Sequence, residues 1–355
     1  MLNKKIVVLI PAHNEEESIG STIESLLNQT VVPTKIVVLA NGCTDKTVQV
    51  AKQYNIIVED MPKLEHRKSE ALNYGWKKYC KDADIVVCVD ADTELSPIAV
   101  EDWVDEFHDK SLGGSSSKFT MKDNKGILTR LQKAEYAAWI DSSLKKKKTT
   151  VLSGTGCALN NKALKMVAER ADREGPWSYA SQVEDFELTY RIQELGYKTQ
   201  VSPTIRAYTD SMRTIKALWR QRMKWQVGTI EDLIYIGFNK KTRVMWMQQI
   251  FNLIGMMLTA LWLMIVVLII SLGLFVIRPI WFILPGLVVA LDLKNARRIP
   301  HVDKKDILLA FAWFPHEAFV IFRQIITVMA WKEVLWSKIT RKKKDRWAIQ
   351  YRSKV

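Results

Sequence analysis

Four short apolar runs constrain this chain more than any other feature. Residues 6–10, 35–40, 56–59 and 85–89 are β-branched or aliphatic apart from Lys35, Glu59 and Cys88, and helical spacing fills 15–27, 44–54 and 68–79 between them. Strands that are apolar at every position are covered on both faces, and strands alternating with helices predict a parallel sheet in an α/β domain. In 15–27, Ile19, Ile23, Leu26 and Leu27 share one face, with acids at the start, where the helix dipole favours them. Ligands of such sheets bind outside the carboxyl ends of the strands. Three polar segments fall there: Pro11 to Glu15, Asn41 to Asp45, and Asp90-Ala91-Asp92.

The pattern then loosens. Residues 113–117 (GGSSS) predict a loop or a strand edge, 145–148 (KKKK) a solvated turn, and 151–160 a strand interrupted by Gly154 and Gly156. A helix is expected over 184–195, closed by Gly196. From 248 the composition changes. Residues 248–275 are apolar for long enough to cross a bilayer, and 277–293 predict a return across it. Lys294, Arg297 and Arg298 then mark the cytosolic side. The apolar, Trp-rich stretch 307–331 reads either as a third span or as an interfacial helix. His316, Glu317 and Arg323 favour the interfacial reading, because charges on an isolated span are costly. A third span would also carry the Arg341 to Lys344 cluster to the far side, against the positive-inside tendency. The expected organisation is therefore a cytosolic α/β domain over 1–240, with an amphipathic segment at 213–240. A membrane region over 241–335 and a basic cytosolic tail over 336–355 follow.

The net charge of +14 fits either nucleic acid or an anionic membrane surface. The basic clusters flank the apolar stretches, and no zinc-finger spacing or RNA-binding aromatic signature is present, so the membrane is the expected partner and nucleic acid is not. Cys43, Cys80, Cys88 and Cys157 form no CxxC pair, which reads as free thiols in a reducing compartment. The first apolar run is too short for a signal peptide and reads as a buried strand.

Asp90 and Asp92, one residue apart after a buried strand, can serve one hard cation, Mg²⁺ or Mn²⁺, together with phosphate oxygens. A simple helix cap explains such a pair equally well. Asn14, Glu15 and Asn41 could hold a base or ribose, or merely cap a helix and form a turn. Glu184-Asp185 opens a helix, where Asp185 could act as general base or simply favour the helix dipole. Gln221-Arg222-Met223-Lys224-Trp225 offers cations for a diphosphate and an indole for a sugar face, or else an interfacial helix with snorkelling cations.

Taken in order, IPAHNEEESIGSTIESLLNQT, VVLANGCTDKT, HRKSEALNYG, VVCVDADTEL, SGTGCALNN, VEDFELTYRIQELGYKT and QRMKW resemble glycosyltransferase family 2 over about residues 5–230. The likeness is greatest to its membrane-bound processive branch, which includes cellulose, chitin, hyaluronan and poly-N-acetylglucosamine synthases. The resemblance implies a GT-A type mixed sheet with flanking helices, and an inverting transfer from a nucleotide-sugar donor to a glycan or lipid-linked acceptor at the cell membrane. It implies that Pro11, His13, Asn14, Glu15, Asn41, Lys68 and Asn73 line the donor pocket. Asp90 and Ala91 would contact the nucleotide, and Asp92 the metal. Gly154, Gly156, Cys157 and Glu184 would border the acceptor, and Asp185 would be the base. Gln221, Arg222 and Lys224 would close on the diphosphate and Trp225 on the acceptor sugar. Two departures stand out. The motif's Arg is here Lys224, which keeps the charge but lacks the bidentate fork. The family's acid after the second strand is absent from Ala40-Asn41-Gly42. A shorter product, a lipid-linked acceptor and an oligomeric pore all remain compatible with the small membrane region.

Overall fold

A computed structural model describes residues 4–274, 276, 279 and 283–351. They fall into two compact units, Met1–Asp123 with Trp139–Ser211, and Asn124–Ala138 with Met212–Val355.

The first unit opens with β1 (Ile6–Ala12), α1 (Ile19–Leu27), β2 (Lys35–Asn41), α2 (Thr47–Ala51), β3 (Ile57–Met61), α3 (Arg67–Tyr79) and β4 (Ile85–Cys88). It continues with β5 (Glu94–Leu95), α4 (Ala99–Glu106), β6 (Leu112–Met121), the helix α5 (Ile127–Lys146) that runs across the unit boundary, β7 (Cys157–Asn160), α6 (Asn161–Ala168), α7 (Glu184–Glu194) and β8 (Lys198–Thr209). The eight strands form one sheet in the order β3-β2-β1-β4-β7-β6-β8-β5. β1 to β4 are parallel, as the apolar runs predict, and β7 then joins β4 antiparallel and makes the sheet mixed. Val8, Leu9, Ile10, Val37, Val38 and Leu39 are completely buried, which is why these strands carry no alternation.

Two expectations are corrected here. Residues 113–117 are an interior stretch of β6, lying between β7 and β8, with Ser115, Ser116 and Ser117 buried. Small residues are needed there because a Cβ on Gly113 would lie 2.4 Å from Ile192 and one on Gly114 2.3 Å from Leu152. The acids 15–17 precede α1 rather than starting it, because Asn14 takes a left-handed conformation (φ 55°) and Ser18 is the cap.

The second unit holds the first part of α5 together with α8 (Ile215–Ile236), α9 (Arg243–Ser271), α10 (Ile283–Ala296), α11 (Lys304–Phe311), α12 (Trp313–Thr340) and α13 (Arg346–Tyr351). Among the described residues α9 is the one helix long and apolar enough to cross a membrane, with hydropathy 2.8 and none of that window buried. Its 29 residues begin earlier than the expected 248. The expected return over 277–293 falls partly on 277, 278 and 280–282, which lie outside the described residues. The described α10 has 14 residues, about 21 Å of helix, short of a ~30 Å hydrocarbon core.

The stretch 307–331 is two helices broken at Ala312. Pro315 sits in the first turn of α12, where its missing N–H has no helical partner to lose. One face of α12 is buried: Ile326, Ala330 and Val334 pack with Met223, Val227 and Ile230 of α8. In the described part of the tail, Arg346 binds Glu333 and Lys343 lies 2.8 Å from Glu231, both acids belonging to helices of the same unit.

Candidate active site

The carboxyl ends of β1 and β2 are tied together by the polar segments that follow them. The His13 imidazole Nδ1 lies 2.6 Å from the carbonyl oxygen of Asn41. Asn14 accepts from the Thr44 amide at 2.8 Å, and the Glu15 amide donates to the Thr47 hydroxyl at 2.8 Å. The buried Asn41 side chain accepts from the Leu64 amide at 2.8 Å, fastening the loop that leads to α3. Pro11 pairs with Leu39 inside the sheet. The expected donor-pocket residues of these two strands therefore do come together, as bridges between adjacent loops.

At the end of β4 the chain turns through Asp90-Ala91-Asp92. Lys68, on the first turn of α3, places its ammonium 2.8 Å from Asp90 and 3.0 Å from Glu184. The Asp90 amide donates to the Gly154 carbonyl at 2.9 Å, and the Gly154 amide points at Asp185 Oδ2 at 3.4 Å. A Cβ at Gly154 would lie 2.6 Å from the Lys68 nitrogen and would push that ammonium aside. Asp90, Glu184 and Asp185 thus share one cation and one backbone segment, although about a hundred residues separate them in sequence. Burial works against the Lys68 charge, but Asp90 and Glu184 outweigh it and hold its pKa well above the ordinary value. Burial and then the Glu184 charge push Asp185 up to about 6, with Lys68 and the Phe186 amide pulling the other way. Asp92 is oriented separately, accepting from the hydroxyls of Thr93 and Thr209 at 3.2 Å each. Thr209, at the end of β8, had no motif to signal it.

Asn73 and Cys157 have structural surroundings. Both ends of the Asn73 amide are engaged by the Trp177 backbone, at 2.8 and 3.0 Å. Cys157 is buried in β7 opposite Cys88 of β4, and that contact, followed by burial, raises its thiol pKa well above the ordinary value. Gly156 precedes it, donating its amide to the Ser153 carbonyl. Sequence reading missed the buried cluster in which Glu187 binds Arg173 and Arg191, each at 2.7 Å. Arg173 also takes the Gly175 carbonyl, so the cluster fixes the segment that runs into Glu184. The i,i+4 spacing of Glu187 and Arg191 was its one visible sign.

Gln221, Arg222, Lys224 and Trp225 lie on α8, in the second unit. Arg222 is buried and donates to Glu135 at 2.7 Å and to Gln221 at 2.7 Å, so it is committed to protein partners. Its Cζ sits 4.3 Å from the Trp225 ring centroid. The Lys224 ammonium lies over the Trp347 ring of α13, 3.3 Å from its centroid.

The family model for glycosyl transferase family group 2 matches residues 85–293, from β4 through α8 to α10. The chain belongs to that family. Its fold is correspondingly close to that of the mannosyltransferase PcManGT from Pyrobaculum calidifontis, solved in complex with GDP-Man and Mn²⁺. The TM-score is 0.61 at 16% identity, covering 91% of this chain and 87% of that one. As a family 2 member it is 25% identical over 270 residues to the poly-beta-1,6-N-acetyl-D-glucosamine synthase of Staphylococcus aureus (strain COL). That match covers 73% of this chain and 64% of the relative, so the chain spans somewhat under two thirds of that protein's length. It is 28% identical over 239 residues to the probable glycosyltransferase YdaM of Bacillus subtilis (strain 168), covering 63% of this chain and 55% of the relative.

Proposed function

We propose that this chain is an inverting glycosyltransferase that moves a sugar, of the N-acetylglucosamine class, from a UDP-sugar to a hydroxyl of a growing glycan at a membrane. The observation that carries the reading is the shared centre of Lys68, Asp90, Glu184 and Asp185 at the carboxyl ends of the strands. The named synthase relative supplies the sugar class. In this reading α9 crosses the bilayer and the α/β unit faces the cytosol.

Asp185 is the base. A carboxyl held at about 6 is ionised at neutral pH, yet basic enough to take a proton from an attacking alcohol. The acceptor hydroxyl attacks the anomeric carbon as the bond to the diphosphate breaks, and the proton passes to Asp185. Glu184, beside it in sequence, is held by Lys68. The loops braided by His13, Asn14 and Asn41 hold the nucleotide.

The residues at the end of β4 fit a hard divalent cation. They offer the carboxylate oxygens of Asp90 and Asp92; Asp90 pairs with Lys68, and Asp92 would hold Mg²⁺ or Mn²⁺. Among the described residues no cluster of three protein ligands exists, so phosphate oxygens would have to complete the coordination. Such an ion would neutralise charge on the departing diphosphate.

The test is a donor screen. Membranes containing the chain are given UDP-N-acetylglucosamine, UDP-glucose, UDP-glucuronate and GDP-mannose, with and without EDTA, and released nucleotide is measured. UDP-N-acetylglucosamine should be turned over and EDTA should stop it. Turnover of none of the four donors, or turnover indifferent to EDTA, contradicts the reading. Mass spectrometry of the product separates a polymer from a single sugar on a lipid.

A further inference from the structure

Arg323 is one of the charged residues that make α12 costly as an apolar helix, and the fold gives it a partner. Its Nε lies 3.1 Å from Glu135 Oε1 on α5. The other Glu135 oxygen takes Nη2 of Arg222 on α8 at 2.7 Å. One carboxylate, mostly buried, therefore joins two guanidiniums from two further helices of the same unit. Arg222 passes this anchoring on. Its guanidinium covers the Trp225 ring at 4.3 Å, approaches the Tyr136 ring at 5.4 Å, and gives Gln221 Oε1 a hydrogen bond.

We propose that Glu135 is a positioning residue that fixes the plane of the Trp225 indole, through Arg222, for the acceptor sugar. A planar guanidinium stacked on one face of the ring leaves the opposite face to the sugar's C–H groups. Glu135 holds the guanidinium by its charge. Without that charge Arg222 and Arg323 are left as two neighbouring cations, and Arg222 is drawn away from the ring. The bidentate, planar character of Arg makes the stack, so Lys at 222 keeps the charge and loses the alignment. The departure at Lys224 is consistent with this division. The motif's usual Arg is replaced, while the Arg two residues earlier is spent on orienting Trp225. The role in acceptor binding rests on the reading of Trp225 given above; the positioning of its ring does not.

The first measurement therefore needs no substrate. The full chain, whose tryptophans number 13, is labelled with 5-fluorotryptophan and its ¹⁹F spectrum recorded, with the Trp225 line assigned by Trp225→Phe. Glu135→Gln and Arg222→Lys should each shift or broaden that line. Glu135→Asp should restore it in part. Glu333→Gln, which removes a carboxylate that binds Arg346 instead, should leave it in place. An unmoved Trp225 line in both Glu135→Gln and Arg222→Lys overturns the proposal. The second measurement uses UDP-N-acetylglucosamine with a β-linked N-acetylglucosamine oligosaccharide. Glu135→Gln should raise the acceptor KM about tenfold and leave the donor KM within about twofold. An equal rise in both shows a merely structural role and overturns the assignment. If Trp225→Phe leaves the acceptor KM unchanged, the acceptor reading of Trp225 fails, while the ¹⁹F result still judges the positioning.

Discussion

At the scale of single residues, Lys68 decides how three carboxylates can occupy one corner. Its cation lowers the pKa of Asp185 while burial and Glu184 raise it. Replacing Lys68 with Met should therefore move the acidic limb of the kcat–pH profile to higher pH, as a titration of transfer rate from pH 5 to 8.5 can follow. A limb that stays put, with only KM altered, would argue that Lys68 touches the donor alone. Asp185 also makes a stability prediction. Its folded pKa of about 6 lies above the ordinary ~3.9, so the proton it binds favours the fold. That contribution is complete below about pH 3.9 and is lost as pH rises through about 6. Asp185→Asn should then melt at or above the wild-type temperature at pH 7.5, with the difference vanishing near pH 4. The identities of Asp90, Asp92 and Asp185 were readable in the sequence because each follows a strand or opens a helix within a recognisable motif. Lys68 was expected in the pocket from the resemblance alone, and its partners were not readable, because an ion pair to residues 22 and 116 positions away leaves no periodicity. Thr209, which orients Asp92, left none either.

At the scale of elements, β6 shows why patterning failed where it did. Its GGSSS stretch lacks apolar residues because neighbouring side chains fill the space a larger residue would use. Gly113→Ala puts a Cβ against Ile192 and Tyr197 and should cost about 1–3 kcal/mol, measurable by thermal or denaturant unfolding. A neutral effect would show that α7 and the turn after it yield easily. The central parallel strands β1, β2 and β4, by contrast, were legible, since burial on both faces leaves nearly every position apolar. On the helical side, Asp306 is buried within α11 and caps the same turn that Asp303 opens, and it pairs with Arg130 and Lys133 from α5. Asp306→Ala leaves buried cations short of a counter-charge and should destabilise the protein by about 3 kcal/mol. Two of the three groups that made 307–331 ambiguous lie beside acidic side chains. Arg323 has Glu135, and His316 lies 2.6 Å from Asp292, pairings that a one-dimensional reading cannot supply.

At the scale of the whole molecule, the chain combines an α/β unit that carries the carboxylates with a helical unit that carries the Gln221 to Trp225 motif and the apolar α9. The composition break at 248 signalled the apolar part. It did not show that the segment just before it, 213–240, belongs to the helical unit, because amphipathic spacing looks the same in either unit. In the proposed reaction Asp185 removes the acceptor proton. The direct measurement is incorporation of labelled N-acetylglucosamine from its UDP donor by wild type and Asp185→Asn, compared at pH 7.5 at matched folded protein. The account predicts that the variant keeps its donor affinity and loses transfer by about 10²- to 10⁴-fold. Transfer by Asp185→Asn within a few-fold of wild type would contradict it.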